Sequence, residues 1–418
     1  MVLLHQLLIR YKSIIENILS LTLLNVVNLI LPLLTLPYII RTVGLSNYGA
    51  YSVIYTIIQY VLLFSTFGFN YSTTKEVSQK RESIEEVSAI VKSTIYARFL
   101  ISSVAIMLFA AFIYLYYPSN YYYSFLFGIG IILGDVMNPV WLYQGMEKMK
   151  YMTIINLVCK LTFTLLIFVF IKNEKDWLYI TLLYSCGYIL SGVISLIMSI
   201  KVFGIKSVKI SLRDIFRQIK QGWSVFLSTF FISFYRNSNI FILGFFVNEF
   251  NLGIYASAEK TVKAVQSLAT PISNALFPHM ALSFKSKTIA ESARHTMRIS
   301  KKLSLLYLLL IILFVICSKQ LSIILLGSKN VLFIRLILLM SPVILFGGIN
   351  YLLGIVGLVN LSYSRNFLRF VIISGIISII VLVGFVGVFD IYSGAFAMLA
   401  TESLLTIMCY RMIAKLCK

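Results

Sequence analysis

Charged residues are scarce in this sequence: Asp, Glu, Lys and Arg make up 12% of its 418 residues, about half the share of a soluble domain. Aspartate is rarest, present only as Asp135, Asp176, Asp214 and Asp390. No Asp-x-Asp pair therefore exists to hold a nucleotide-sugar metal. The three histidines, His5, His279 and His295, have no metal-ligand spacing. The five cysteines, Cys159, Cys186, Cys317, Cys409 and Cys417, contain no C-x-x-C, which argues against a disulfide framework or a metal knuckle. A G-x-S-x-G elbow and a G-x-x-x-x-G-K-[ST] phosphate loop are also missing. No metal or organic cofactor is implied, and the sequence reads as that of a non-enzyme.

What fills the space is apolar: 59% of residues are hydrophobic and the mean hydropathy is +0.91. A water-soluble core cannot hide that much apolar surface, so lipid must be the solvent. Continuous apolar runs, long enough to cross a hydrocarbon core of about 30 Å, predict spans at about 17–40, 51–69, 94–115, 121–143, 151–171 and 177–200. A second set follows at 222–247, 256–280, 302–318, 331–354, 367–388 and 393–412. The alternating ten-residue pattern of a transmembrane barrel is not seen. Arg10 and Lys12 precede the first run without a small-residue cleavage site, so that run reads as an uncleaved span. Gly130 and Gly134 fall inside a span and read as a helix-packing pair.

The net charge of +21 does not point to nucleic acid, because the basic residues sit in short connections between apolar runs. Those connections alternate. With a cytoplasmic N-terminus, 25 Lys and Arg fall inside and only Arg41, Lys172, Lys175, Lys319 and Lys329 outside, an asymmetry that orients the chain. Both termini are expected in the cytoplasm and the span number is even. The longest hydrophilic connection, about 201–221, divides the chain into 1–208 and 209–418, six spans each. GLSNYGAY (Gly44 to Tyr51) is echoed by NLGIYASA (Asn251 to Ala258), with Tyr48 and Tyr255 in matching places. Two six-helix lobes facing a central cavity are the expected architecture, a build shared by alternating-access transporters. Outside loops of at most about a dozen residues leave no room for a large catalytic loop.

Ionisable groups inside spans cost at least about 2.5–3.5 kcal/mol each near the bilayer centre, so each is a functional candidate. Arg236 lies fourteen residues after Gly222, roughly 21 Å along a helix, with Thr229 and Ser233 before it on one stripe. Lys260 and Lys263 enter from the outside, where the charge rule cannot explain them, and Glu259 precedes Lys263 by four residues. Lys160 and Asp135 lie in the middle or inner half of their spans and Glu402 near the middle of the last. Arg98 and Arg335 lie nearer span ends, where snorkelling is the competing explanation. Arg236, Lys260, Lys263, Lys160 and Arg98 outnumber Asp135, Glu259 and Glu402, a bias that suits an anionic cargo, with the acids open to ion coupling or charge pairing.

Three stretches carry a resemblance. RTVGLSNYGAYSV (Arg41 to Val53) is similar to an Arg-x-Leu-Gly…Tyr-Gly pattern, with Val43 in place of the leucine. WLYQGMEKMKY (Trp141 to Tyr151) is similar to an aromatic-Gln-Gly-x-Glu segment, and NLGIYASAEK (Asn251 to Lys260) adds a weaker match. Together with the layout they resemble the Wzx-type O-antigen flippases, the polysaccharide-transport branch of the multidrug/oligosaccharidyl-lipid/polysaccharide exporter superfamily. The resemblance implies a MATE-like, V-shaped fold in a bacterial inner membrane. It implies passage of an undecaprenyl-diphosphate-linked oligosaccharide from the cytoplasmic to the periplasmic leaflet, with a polymerase and chain-length regulator as pathway partners. Whether a proton or sodium gradient couples is open. The rivals are a multidrug exporter of the same fold, which should carry a more acidic cavity, and a peptidoglycan-precursor flippase, which typically has more spans. From a different class, a membrane saccharide polymerase or acyltransferase also competes.

Overall fold

The structure, a computed structural model, describes the backbone of residues 2–268, 276, 280, 283–284 and 288–417, and their side chains except at 2–22, 24–30, 224, 228 and 235. Residues 269–275 and 277–279 of the span expected at 256–280, with His279, lie outside the described residues. Among the described residues every regular element is helical. In chain order these are α1 (Val2–Thr66), α2 (Phe69–Lys80), α3 (Ile84–Tyr116), α4 (Ser119–Met137), α5 (Val140–Gly145), α6 (Met149–Phe170), α7 (Trp177–Phe203) and α8 (Leu212–Leu243). They continue as α9 (Glu249–Ser267), α10 (Ile289–Ile316), α11 (Ser318–Leu326), α12 (Val331–Met340), α13 (Pro342–Asn350), a π-helical stretch (Tyr351–Val359), α14 (Ser364–Phe389) and α15 (Tyr392–Leu416).

Nine helical stretches among the described residues are long and apolar enough to cross a membrane. The first of these, Leu31–Lys80, joins two of the expected spans, because α1 runs through them with one break at Gly44 (φ 79°). α8 and α9, which carry Arg236 and Lys260 with Lys263, are not among these nine. Lipid as solvent shows on the surface: Met107, Leu108 and Leu115 of α3 are 63–72% exposed, a pattern no water-facing helix would sustain.

Contacts divide the chain into two compact units, residues 1–35 with 53–230, and residues 36–52 with 231–418. In the first unit, α4 lies against α7 through small residues. A Cβ on Gly134 would overlap the Tyr188 carbonyl, and one on Gly192 would overlap the Gly134 carbonyl. Only glycine permits this approach, and it lets Thr181 and Ser185 donate across to the Ser124 and Phe127 carbonyls at 3.0 and 2.5 Å. Without a hydrophobic drive between helices in lipid, such close packing and hydrogen bonding hold the pair together. The Trp141–Gly145 segment forms α5, entered through Pro139. Trp141, Leu142 and Tyr143 are fully buried there. The Tyr143 hydroxyl donates to the Ser195 carbonyl at 2.7 Å.

In the second unit the two echoing segments lie against each other. A Cβ on Gly49 would overlap the Glu249 carbonyl oxygen, and a Cβ on Gly253 would overlap the Leu45 carbonyl oxygen. The contact is reciprocal when 45 is matched with 249 and 49 with 253. That aligns Asn47-Tyr-Gly49-Ala-Tyr51 with Asn251-Leu-Gly253-Ile-Tyr255, so Tyr255 pairs with Tyr51 rather than with Tyr48. The glycines mark where the two backbones touch. Gly253→Ala should therefore push the two helices apart and destabilise the protein by about 1–3 kcal/mol. Thermal unfolding of the purified variant checks this, and an unchanged midpoint would dismiss the contact.

Candidate functional site

The intramembrane charges fall into two groups, one in each unit. In the first, Arg98 of α3 is 2% exposed. Its Nε donates to the Ser65 carbonyl at 3.0 Å, and one terminal nitrogen donates to the Val136 and Asn138 carbonyls at 3.5 and 3.1 Å. The other donates to Asp135 Oδ2 at 2.5 Å and to Ser65 Oγ at 3.3 Å. All five guanidinium hydrogens are thereby engaged by protein. The carbonyls it takes lie where α1 ends before Phe67–Gly68 and where α4 ends before Pro139, and those helix ends lack intrahelical donors. Arg98 is thus a staple between two helix ends, with its fork turned into the protein. Ser65 Oγ also donates to Asp135, at 3.0 Å. Lys160 of α6 sits over the Tyr188 ring at 5.4 Å and feels the Asp135 charge. The first unit thus gathers Arg98, Asp135 and Lys160.

The second unit gathers Arg236, Glu259, Lys263 and Glu402 around a cavity of about 440 Å³ and a smaller one of about 30 Å³ that share Arg236, Lys263, Gln266 and Glu402. Four helical stretches supply the charged groups and the amides that line it. α8 contributes Arg236. Along α9, Glu259, Lys263 and Gln266 form one stripe at spacings of four and three. Asn350 ends α13, and Glu402 comes from the middle of α15. Lys260 is half-buried and stands one residue off that α9 stripe, outside the cavity lining.

Within the cavity the charges are held unequally. Lys263 forms an ion pair with Glu259, itself 2% exposed, and donates to the Arg236 carbonyl at 2.7 Å. Glu402 accepts from Gln266 Nε2 at 3.0 Å and from Asn350 Nδ2 at 2.5 Å, and no cation among the described residues pairs with it. Thr406 orients the Asn350 amide by donating to its Oδ1 at 2.7 Å. Gly347 makes room for this: a Cβ there would fall on the Gln266 amide. Arg236 is exposed and lines both cavities, and among the described residues its guanidinium has no partner. Its fork can take a phosphate through two parallel hydrogen bonds. Gln266, Asn350 and Asn239, which also lines the smaller cavity, were not foreseen from sequence, because uncharged amides do not interrupt an apolar run. Gln266 alone had a signal, lying three residues beyond Lys263 on its face.

The expected resemblance meets independent comparisons. Residues 14–284 match the family model described as "Polysaccharide biosynthesis protein". A protein of Escherichia coli (strain K12), named "Putative O-antigen transporter", is 25% identical over 94% of this chain and 95% of its own. Among solved structures, an inward-facing multidrug resistance MATE family transporter of the MOP superfamily superposes with a TM-score of 0.73 at 12% identity, over 94% of this chain and 95% of that one. The lipid II flippase MurJ, in an inward closed conformation, gives 0.74 at 11% identity, over 96% of this chain and 87% of that one. At such identities the likeness is one of fold, and it establishes an all-α, MATE-like membrane fold. With more than half of its length matched, this chain belongs to the polysaccharide biosynthesis protein family.

Proposed function

We propose that the chain is a flippase, not an enzyme, carrying an undecaprenyl-diphosphate-linked oligosaccharide from the cytoplasmic to the periplasmic leaflet of a bacterial inner membrane by alternating access. The observation that carries this reading is the Arg236 guanidinium, which has no partner among the described residues and faces a cavity deep in a span while the neighbouring Lys263 and Glu402 are held by protein groups. A diphosphate cannot enter hydrocarbon unaided. A polar cavity offering a guanidinium shields it, and the lipid tail stays in the membrane. The positive-inside asymmetry supports cytoplasmic termini, and the membrane potential favours outward movement of an anion by about 2.3 kcal/mol per charge per 100 mV. The name borne by the Escherichia coli relative supports an O-antigen type of cargo. Asp135, which Arg98 already neutralises in this structure, and Glu402 are the groups we assign to any coupling with a proton or sodium gradient.

Purified chain reconstituted with an undecaprenyl-diphosphate-linked oligosaccharide should expose inner-leaflet glycan to a glycosidase added outside the vesicles. Protection of the inner half, equal to that of vesicles without protein, would reject the reading. A cationic multidrug exporter would instead move a hydrophobic cation in these vesicles and leave the glycan protected.

A further inference from the structure

The cavity of the second unit is lined by two chemically different sets of groups. One set is the cations Arg236 and Lys263. The other is Glu402, held by the Gln266 and Asn350 amides, with Tyr351 and Phe367 lining the same space. A carboxylate is an acceptor-only group. Two amide hydrogens leave further acceptor positions on its oxygens, in a site where no described cation pairs with it. A phosphate brought close to Glu402 would meet like charge. Neutral hydroxyl donors meet no such penalty. Amides that can both donate and accept, beside aromatic rings that cover an apolar face, complete a set of groups that fits a sugar ring.

We propose that Glu402, Gln266 and Asn350 form a subsite for the first sugar of the cargo, holding a neutral pyranose by its hydroxyls while Arg236 holds the adjoining phosphate. This rests on the reading of the chain as a flippase for a lipid-diphosphate-linked glycan. The subsite discriminates by charge: a first sugar bearing a carboxylate gains nothing from it.

Two probes separate this proposal from the reading beneath it. Undecaprenyl diphosphate, bare or carrying one N-acetylhexosamine, is titrated into the purified protein in nanodiscs and binding is followed by tryptophan fluorescence. The sugar-bearing lipid should bind wild type about tenfold tighter than the bare one, the worth of one hydrogen bond to a charged group. Glu402→Gln should erase that difference and leave bare-lipid affinity unchanged, whereas Arg236→Ala should weaken both lipids alike. Phe367→Leu, which leaves the polar groups in place, should lower only the sugar-bearing affinity and guards against a Glu402 variant that misfolds. Equal binding of the two lipids to wild type would overturn the subsite and leave the flippase reading standing. Equal weakening of both by Glu402→Gln would likewise overturn it, since Glu402 would then act on the phosphate or on folding. Failure of wild type to bind either lipid would overturn both.

Discussion

Arg98→Ala should be the most destabilising single change in the first unit, by about 3–5 kcal/mol, the cost of removing one partner from a buried ion pair. The guanidinium is 2% exposed and engages Asp135, Ser65, Val136 and Asn138 together. Its loss leaves Asp135 with only the Ser65 hydroxyl as donor among the described residues and removes the side-chain donor from the Ser65, Val136 and Asn138 carbonyls. Arg98→Lys should recover little, because an ammonium cannot span two helix ends as a planar fork does. Asp135→Asn should be milder than either, since the amide oxygen still accepts from Arg98 and Ser65. The midpoint of thermal unfolding in detergent should fall by on the order of 10 °C in Arg98→Ala. A shift within error, or an equal loss in Asp135→Asn, would mean that the staple does not hold the unit. Transport alone cannot make this distinction, because an unfolded protein also fails to transport.

Arg236→Ala should act in the opposite way, strongly reducing function without loss of fold. The side chain is exposed and donates to no described residue, so its removal leaves no buried partner behind. One charge-assisted hydrogen bond to a phosphate is worth about 1.5–3 kcal/mol, so affinity for a lipid-linked diphosphate should fall about ten- to a hundredfold. Arg236→Lys should keep part of it, retaining charge and losing the paired geometry. Surface polysaccharide measured at matched protein level should be strongly reduced in the alanine variant and intermediate in the lysine variant. Wild-type polysaccharide in Arg236→Ala would remove this residue from the cargo path, whatever the chain transports.

Arg98 and Arg236 were both legible as intramembrane cations, yet the tertiary structure gives them contrary tasks. By position Arg98 stands near a span end, where an arginine can turn outward to the interface. It turns inward instead, because the helix ends at Ser65 and Asn138 come to lie beside it and lack donors. Nothing in the local sequence of α3 records that proximity. Gly130 and Gly134 show the reverse: their spacing within a span already indicated close packing, and α7 supplies the partner.

The sequence by itself determined the solvent and the helices. In lipid every backbone polar group must be bonded within its own segment, so span length and apolarity are written continuously along the chain. Family membership was legible for the same reason, in motifs that sit beside span ends. Which charges share a cavity was decided only by the tertiary structure. Arg236, Lys263 and Glu402 are brought together by the rotation and packing of α8, α9 and α15, over separations of up to 166 residues. The amides of Gln266 and Asn350, and the Gly347 gap that admits one of them, leave no trace in hydropathy. They acquire meaning only once Glu402 lies between them.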